Sequence, residues 1–159
     1  EKIRRLADEN LGITLALSLH ASSDETRRRL MPVSNRYKIS DILAACDYFF
    51  EKTGRRVTYE YSVVKNVNAT QEEAERLGRL LKGRNAHVNL IPVNEVSETG
   101  FKRSGREAVQ RPDTSEIRAF QNVLDKFGIN ATIRRELGSD IDASCGQLRR
   151  RVMTEKSAD

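Results

Sequence analysis

Ile13-Thr14-Leu15-Ala16-Leu17-Ser18-Leu19-His20 alternates without a break. Successive side chains of an extended chain point to opposite faces, so Ile13, Leu15, Leu17 and Leu19 share one side. Thr14, Ala16, Ser18 and His20 share the other. One face is large and apolar; the other is small and polar. That asymmetry predicts a barrel strand with helices packed outside and a site-lining face inside. Ser18 and His20 then sit at the carboxyl end of the strand, where βα barrels keep their chemistry.

Working outward, the same periods recur. Before the strand, Ile3, Leu6 and Ala7 stand at helical spacing among charges, and residues 10–12 stop that helix. After it, Ala21 to Tyr37 reads as a charged loop holding Arg27, Arg28, Arg29 and Pro32. Its arginines are either a solvated surface or contacts to RNA or substrate. A helix from about Ser40 to Gly54 carries Ile42, Leu43, Cys46, Phe49 and Phe50 as its apolar stripe, which makes Cys46 a core residue. Val57 to Val64 alternates again, with Thr58, Glu60 and Ser62 on the inward face. An inward Glu60 needs a partner or a polar cavity, because an isolated buried carboxylate is costly. An ordinary ion pair and a role in a site are both open to it.

Asn66, Val67 and Asn68 form the next turn, and Thr70 with Glu73 has the spacing of a capping box for a helix ending near Lys82 and Gly83. His87 to Val93 is a third strand, with Asn94 at its carboxyl end. The stretch from Glu95 to Pro112 is long and basic, the kind of connection that is usually functional or mobile. Asp113 or Thr114 caps a helix carrying Ile117, Phe120, Val123, Leu124 and Phe127, with Gly128 as its terminator. Residues 129–137 make a last strand, with Arg134 and Arg135 near its end. Strands alternating with helices imply a parallel sheet built from crossover connections. The pattern alone is compatible with a partial barrel or an open doubly wound sheet.

The chain has 159 residues, enough for one domain with a moderate core, and 32% of them are charged. Its formal net charge is +5, which suits a polyanionic partner without specifying one. Two cysteines make no disulfide framework, and reduced thiols in a cytoplasmic protein are the simpler expectation. No apolar run is long enough to span a bilayer, and no membrane partner is expected.

A second stretch carries the chemistry. Gly138-Ser139-Asp140-Ile141-Asp142-Ala143-Ser144-Cys145-Gly146-Gln147-Leu148 follows the last strand. Free cysteine is often plain core filler. Asp140, Asp142, Ser144 and Gln147 are poor company for a core residue, and two glycines allow a sharp bend around the thiol. The run DIDASCGQLR resembles the carboxyl-terminal cysteine motif of the radical-SAM adenine methyltransferases. LALSLHA, RRLMPVSNRY, VTYEYSVVKNVN and HVNLIPVNEV extend the resemblance over nearly the whole chain, in order.

The resemblance implies a (β/α)6 partial barrel. Residues 1–148 are then its carboxyl-terminal half, and 149–159 a basic tail. It implies methylation of C2 of an adenosine in 23S rRNA, with tRNA as a further substrate; close relatives methylate C8 of the same rRNA base. By the same resemblance Ser18, Leu19, His20 and Asn94 contact S-adenosylmethionine, and Cys145 carries the methyl group as S-methylcysteine before its transfer. The family also uses a [4Fe-4S] cluster held by CxxxCxxC. That motif does not occur in this sequence, so no metal ligand is expected in it. A barrel half also implies an exposed sheet edge and self-association. Two other readings of the residues stand beside this one. One is a basic RNA-binding module using Arg27 to Arg29, Lys102, Arg103, Arg106 and Arg149 to Arg151; the other is a redox-sensing thiol protein centred on Cys145.

Overall fold

Apolar residues at every second position of the strands and at every third or fourth of the helices meet on one side of a four-stranded sheet. The structure is a computed structural model that describes residues 1–9, 11–93 and 110–134. In chain order it runs α1 (Lys2–Asp8), β1 (Leu15–Ser18), α2 (Asp24–Leu30), a 3-10 turn (Pro32–Arg36), α3 (Ile39–Thr53), β2 (Val57–Val63), α4 (Gln71–Leu81), β3 (Ala86–Pro92), α5 (Thr114–Lys126) and β4 (Asn130–Ile133). The strands are all parallel and lie in the order β1-β2-β3-β4. Each strand therefore pairs with its predecessor. A doubly wound sheet reverses direction at a switch point, whereas a barrel is built by adding each strand to the same side. The described sheet has no reversal, which is the order of a barrel sector and agrees with the expected α/β class.

Val57, Tyr59, Tyr61 and Val63 of β2 are at most 3% exposed and alternate with half-buried Thr58, Glu60 and Ser62. Against the apolar side pack Leu43, Cys46 and Phe49 of α3, Ala74, Leu77 and Leu81 of α4, and Ile117, Phe120 and Leu124 of α5. Each fully buried large side chain here contributes roughly 1.5–3 kcal/mol by leaving water. The Tyr61 and Phe120 rings lie 5.2 Å apart, joining β2 to α5. Cys46 is 1% exposed, and burial pushes its thiol up to about 11, so it is the core residue expected from its place on the helix stripe. Gly54 ends α3 in the left-handed conformation at φ 65°, and its N–H returns to the Phe50 carbonyl at 2.8 Å.

Two segments depart from the sequence reading. The stretch 21–37 is not a loop: it contains α2 and the 3-10 turn. Ser23 caps α2 by accepting from Thr26 N at 3.2 Å, with Asp24 and Glu25 in the first turn. Ser23 with Asp24 and Glu25 is the start signal, and the charge of the arginines that follow masks it. The Thr70/Glu73 capping box is half formed: Thr70 accepts from Glu73 N at 3.3 Å, but the Glu73 carboxylate is turned into the protein. At α5 the reciprocal half is in place, with Asp113 N donating to Glu116 Oε2 at 2.7 Å. The part of the last strand expected beyond residue 134 lies outside the described residues.

Gly78 offers a packing test. A Cβ there would meet three atoms of the Phe127 ring at 2.5–3.0 Å. That ring leaves the end of α5 from a backbone held by Phe127 N to Leu124 O at 3.0 Å and Gly128 N to Asp125 O at 2.9 Å. Overpacking of this kind costs roughly 1–3 kcal/mol, against at most ~1 kcal/mol gained in helix propensity. Gly78→Ala is expected to lower the urea midpoint with an unchanged m-value. A raised midpoint would show that the ring swings aside freely.

Candidate active site

The face of the sheet away from the core is polar, and the register stacks its polar residues in rows. Ser18 is paired with Glu60, Glu60 with Asn89, and Asn89 with Thr132. One step toward the amino ends, Ala16, Thr58, His87 and Asn130 make a second row. Asn89 Nδ2 donates to Glu60 Oε2 at 2.9 Å, so the inward carboxylate is held by an amide, and no ion pair involves it among the described residues. His87 Nε2 lies 3.0 Å from Thr132 Oγ1, while its Nδ1 is buried with no partner among the described residues.

At the carboxyl end of β1 the expected triplet is together. Ser18 is exposed on the polar face. The Leu19 side chain is 0% exposed in the core, so this residue can offer a ligand only its backbone. His20 has φ 59°, in the left-handed region that a non-glycine residue enters at a cost. Its N–H and that of Leu19 both donate to the Glu60 carbonyl, at 3.2 and 3.0 Å. Its Nδ1 accepts from Ser62 N at 3.0 Å. Burial, reinforced by the Arg27 charge, holds the imidazole pKa below its ordinary value of 6.5.

Arg27 corrects the sequence reading. It is 5% exposed, and its guanidinium donates to the carbonyls of Leu19 at 3.1 Å, Ser18 at 3.3 Å and Tyr37 at 3.5 Å. It therefore braces the end of β1 and is not available to phosphates; Arg28 and Arg29 remain exposed. Beside it, Glu73 is 7% exposed and gathers donors from across the fold. Oε2 accepts from Ser22 N at 3.2 Å, from Ser22 Oγ at 2.5 Å and from Tyr61 OH at 3.4 Å; Oε1 accepts from Thr26 Oγ1 at 3.2 Å and Arg76 Nη1 at 3.1 Å. The chain after β1 is thereby tied to α4.

Asn94 and Cys145 lie outside the described residues, as do Lys102, Arg103, Arg106 and Arg149 to Arg151. Sequence reasoning missed Glu73 and Asn68 as parts of the site. The only signals were a capping-box spacing and a turn, and neither says that the side chains reach the chain that follows β1. A cleft of about 220 Å³ lies elsewhere, lined by Cys46, Val57, Tyr59 and the Arg84–Asp47 ion pair at 2.8 Å. It sits at the amino ends of the strands, opposite the rows just described, and its Arg84 is already paired with Asp47. No described helix is long and apolar enough to cross a membrane.

Both histidines of the chain resist protonation. His87 is also held below 6.5, by burial and then by Arg56, and its unpartnered Nδ1 has no acceptor for a second proton among the described residues. In the unfolded chain both take up protons near 6.5. The native state is thus fully favoured above pH 6.5 and loses that advantage as pH falls from there through the lower native values. The Tm is expected to be lower at pH 5 than at pH 7.5, and a His87→Gln variant should show a smaller drop. Equal pH dependence in the two chains would remove His87 from this account.

With this geometry in place, similarity to known proteins bears directly on it. No family model matches the chain. A Clostridium perfringens protein described as a "probable dual-specificity RNA methyltransferase RlmN" is 55% identical over 155 residues, which is 98% of this chain and 42% of that protein. A Clostridium botulinum protein of the same description is 57% identical over 149 residues, 94% of this chain and 41% of its own length. The chain thus spans about two-fifths of the curated relatives it matches. Among solved structures, a radical SAM methyltransferase from Sphaerobacter thermophilus superposes with a TM-score of 0.81 at 42% identity, over 92% of this chain and 40% of that one. A domain of pyruvate-formate lyase-activating enzyme from Bacteroides vulgatus shares the fold alone, with a TM-score of 0.57 at 16% identity over 77% of this chain and 67% of its own. The family resemblance read from the sequence is borne out by these relatives.

Proposed function

We infer, from a chain that by sequence and by fold is a relative of the radical SAM RNA methyltransferases, that this protein contributes barrel strands and a methyl-carrying cysteine to adenosine methylation. The substrate is C2 of an adenosine in 23S rRNA, with tRNA as a second substrate. The observation that carries this reading is the 55% identity over 98% of the chain to a protein described as an RNA methyltransferase.

Ser18, Leu19 and His20 at the end of β1, with Asn94 after β3, are the residues that would hold S-adenosylmethionine. A half-buried polar face with a fixed backbone turn at its carboxyl edge suits a ligand that is part sugar and base and part charged amino acid. Leu19 would contribute only its carbonyl, since its side chain is in the core and its N–H is held by the Glu60 carbonyl. When bound, S-adenosylmethionine supplies an activated methyl group, for which Cys145 is the acceptor thiol. An intermediate carrier makes chemical sense because C2 of adenine is electron-poor and a weak nucleophile toward a sulfonium. The carrier thiol must be ionised and reachable; the polar, Gly-bounded sequence around Cys145 suits the second requirement, and the core position of Cys46 suits neither.

A [4Fe-4S] cluster does not fit the residues of this chain. Its two cysteines are Cys46 and Cys145, and no group of three or more His, Cys, Asp or Glu side chains gathers among the described residues. The cluster of the radical SAM reaction would need ligands from outside this sequence, and no step is assigned to it.

The test is direct. This chain, assayed within an enzyme whose other part supplies the iron–sulfur centre and given a reductant, S-adenosylmethionine and unmodified 23S rRNA, should yield 2-methyladenosine on nucleoside mass spectrometry. 8-Methyladenosine in its place would assign the chain to the C8 reaction. RNA binding with no methylated nucleoside would leave a basic RNA-binding module as the better account.

A further inference from the structure

The edge of β2 extends beyond the end of β1, and side chains complete its ladder. In a parallel pair every second residue of β2 directs both its N–H and its C=O toward β1. Glu60 does so, and its carbonyl receives the amides of Leu19 and His20. The next such residue is Ser62, but β1 ends at Ser18, and the chain turns away at His20 with φ 59°. Half-buried backbone groups left there without partners would be costly. His20 Nδ1 takes the Ser62 N–H at 3.0 Å, and Asn68 Nδ2 gives to the Ser62 carbonyl at 2.7 Å. The same Asn68 amide also donates to the His20 carbonyl at 2.8 Å, and its Oδ1 accepts from Val64 N at 2.7 Å. Asn68 is 0% exposed, and its own carbonyl is capped by Tyr61 OH at 3.3 Å.

This arrangement decides two properties of His20 together. The backbone is gripped on both sides of the left-handed residue, at its N–H by Glu60 and at its C=O by Asn68. The ring is fixed as well: a backbone N–H can only donate, so Nδ1 must be the unprotonated nitrogen and the neutral ring carries its hydrogen on Nε2. We propose that Asn68 is a positioning residue, which with the Ser62 amide locks His20 in a left-handed backbone and an Nε2–H tautomer so that residues 18–20 form a preset S-adenosylmethionine-binding edge. The inference rests on the reading that Ser18 to His20 hold that ligand. Asn68 touches no ligand itself; it sets the backbone and the ring that do. A residue forced into the left-handed region persists only where its surroundings over-determine it, and such residues concentrate at ligand clamps.

The experiment uses the full chain labelled with 15N-histidine, with His87→Gln assigning the two rings. Long-range proton–nitrogen spectra at pH 7.5 should show His20 as the Nε2–H tautomer in the wild type and as a tautomer mixture in Asn68→Ala. Calorimetric titration with S-adenosylmethionine should show at least a tenfold rise in Kd for Asn68→Ala and for His20→Ala. A merely structural loss would lower Tm without changing the tautomer. An Nδ1–H ring in the wild type overturns the proposal, and that spectrum decides the matter even if Asn68→Ala does not fold. Asn68→Ala binding within twofold of wild type while His20→Ala loses tenfold also overturns it and leaves the binding edge standing. An unchanged Kd in His20→Ala removes the binding edge itself, and with it the role proposed for Asn68.

Discussion

Cys145→Ala will abolish adenosine methylation and leave the melting temperature close to that of the wild type. On the proposed function this thiol is the sole route of the methyl group to the base, so the expected loss is complete rather than graded. Its surroundings in sequence, Asp140, Asp142, Ser144 and Gln147 between two glycines, offer little apolar surface for a side chain to bury, so removing the sulfur should cost little stability. Cys46→Ala is the matched control. That thiol is 1% exposed among Phe49, Leu43 and Tyr59, and its loss should cost roughly 1 kcal/mol or more through a small cavity while methylation continues. Peptide mass spectrometry of the wild-type enzyme should find a methyl group on Cys145 and none on Cys46, whose thiol is held near 11 and stays protonated. Residual methylation by Cys145→Ala would remove the cysteine carrier from the mechanism.

The second large effect is on stability. Glu73→Ala takes one carboxylate from four protein partners: Ser22, Thr26, Tyr61 and Arg76. Ser22 and Thr26 are each at most 9% exposed, so water cannot readily replace the lost acceptor, whereas the single Tyr61 hydroxyl proton keeps the Asn68 carbonyl as its partner. Leaving buried donors unsatisfied costs roughly 1–3 kcal/mol each, with partial relaxation expected, and a total near 3 kcal/mol follows. Glu75→Ala on the same helix, where the ion pair to Arg79 is largely exposed, should stay within about 0.5 kcal/mol of wild type. Urea unfolding of the two variants makes the comparison, and a Glu73→Ala loss below 1 kcal/mol would contradict the buried network. The Glu73 carboxylate also raises the Tyr61 hydroxyl pKa, after burial itself, so that ring stays neutral and remains a donor throughout the accessible pH range.

Much of this protein was legible without coordinates because its local periods agree with its fold. The alternation at 13–20 and 57–64 assigns an apolar and a polar face to each strand, and the structure keeps them over Leu15–Ser18 and Val57–Val63; Ile13, expected on the apolar face, precedes the strand and is 37% exposed. The apolar stripe of residues 42–50 placed Cys46 in the core, and Gly54, Gly83 and Gly128 marked helix ends where the backbone is left-handed. The ordered motifs from LALSLHA to DIDASCGQLR named the family and the candidate residues, three of which are gathered at one strand end.

The sequence by itself therefore determined the strand faces, the helix stripes and the family resemblance, since each depends on residues close together in the chain or on motifs in order. Only the tertiary structure decided what Arg27, Asn68, Glu73 and the ring of His20 do. Arg27 looked like one more charge in an arginine run, yet it braces three carbonyls. Glu73 matched a capping box, yet its carboxylate reaches Ser22, 51 residues away. His20 and Asn68 serve Ser62 because β1 stops short of β2, and that depends on the register between strands 42 residues apart. The physical reason is the same in each case. Buried backbone groups must find partners wherever the strands end, and which side chain supplies them is settled by spatial register, to which local periodicity is blind.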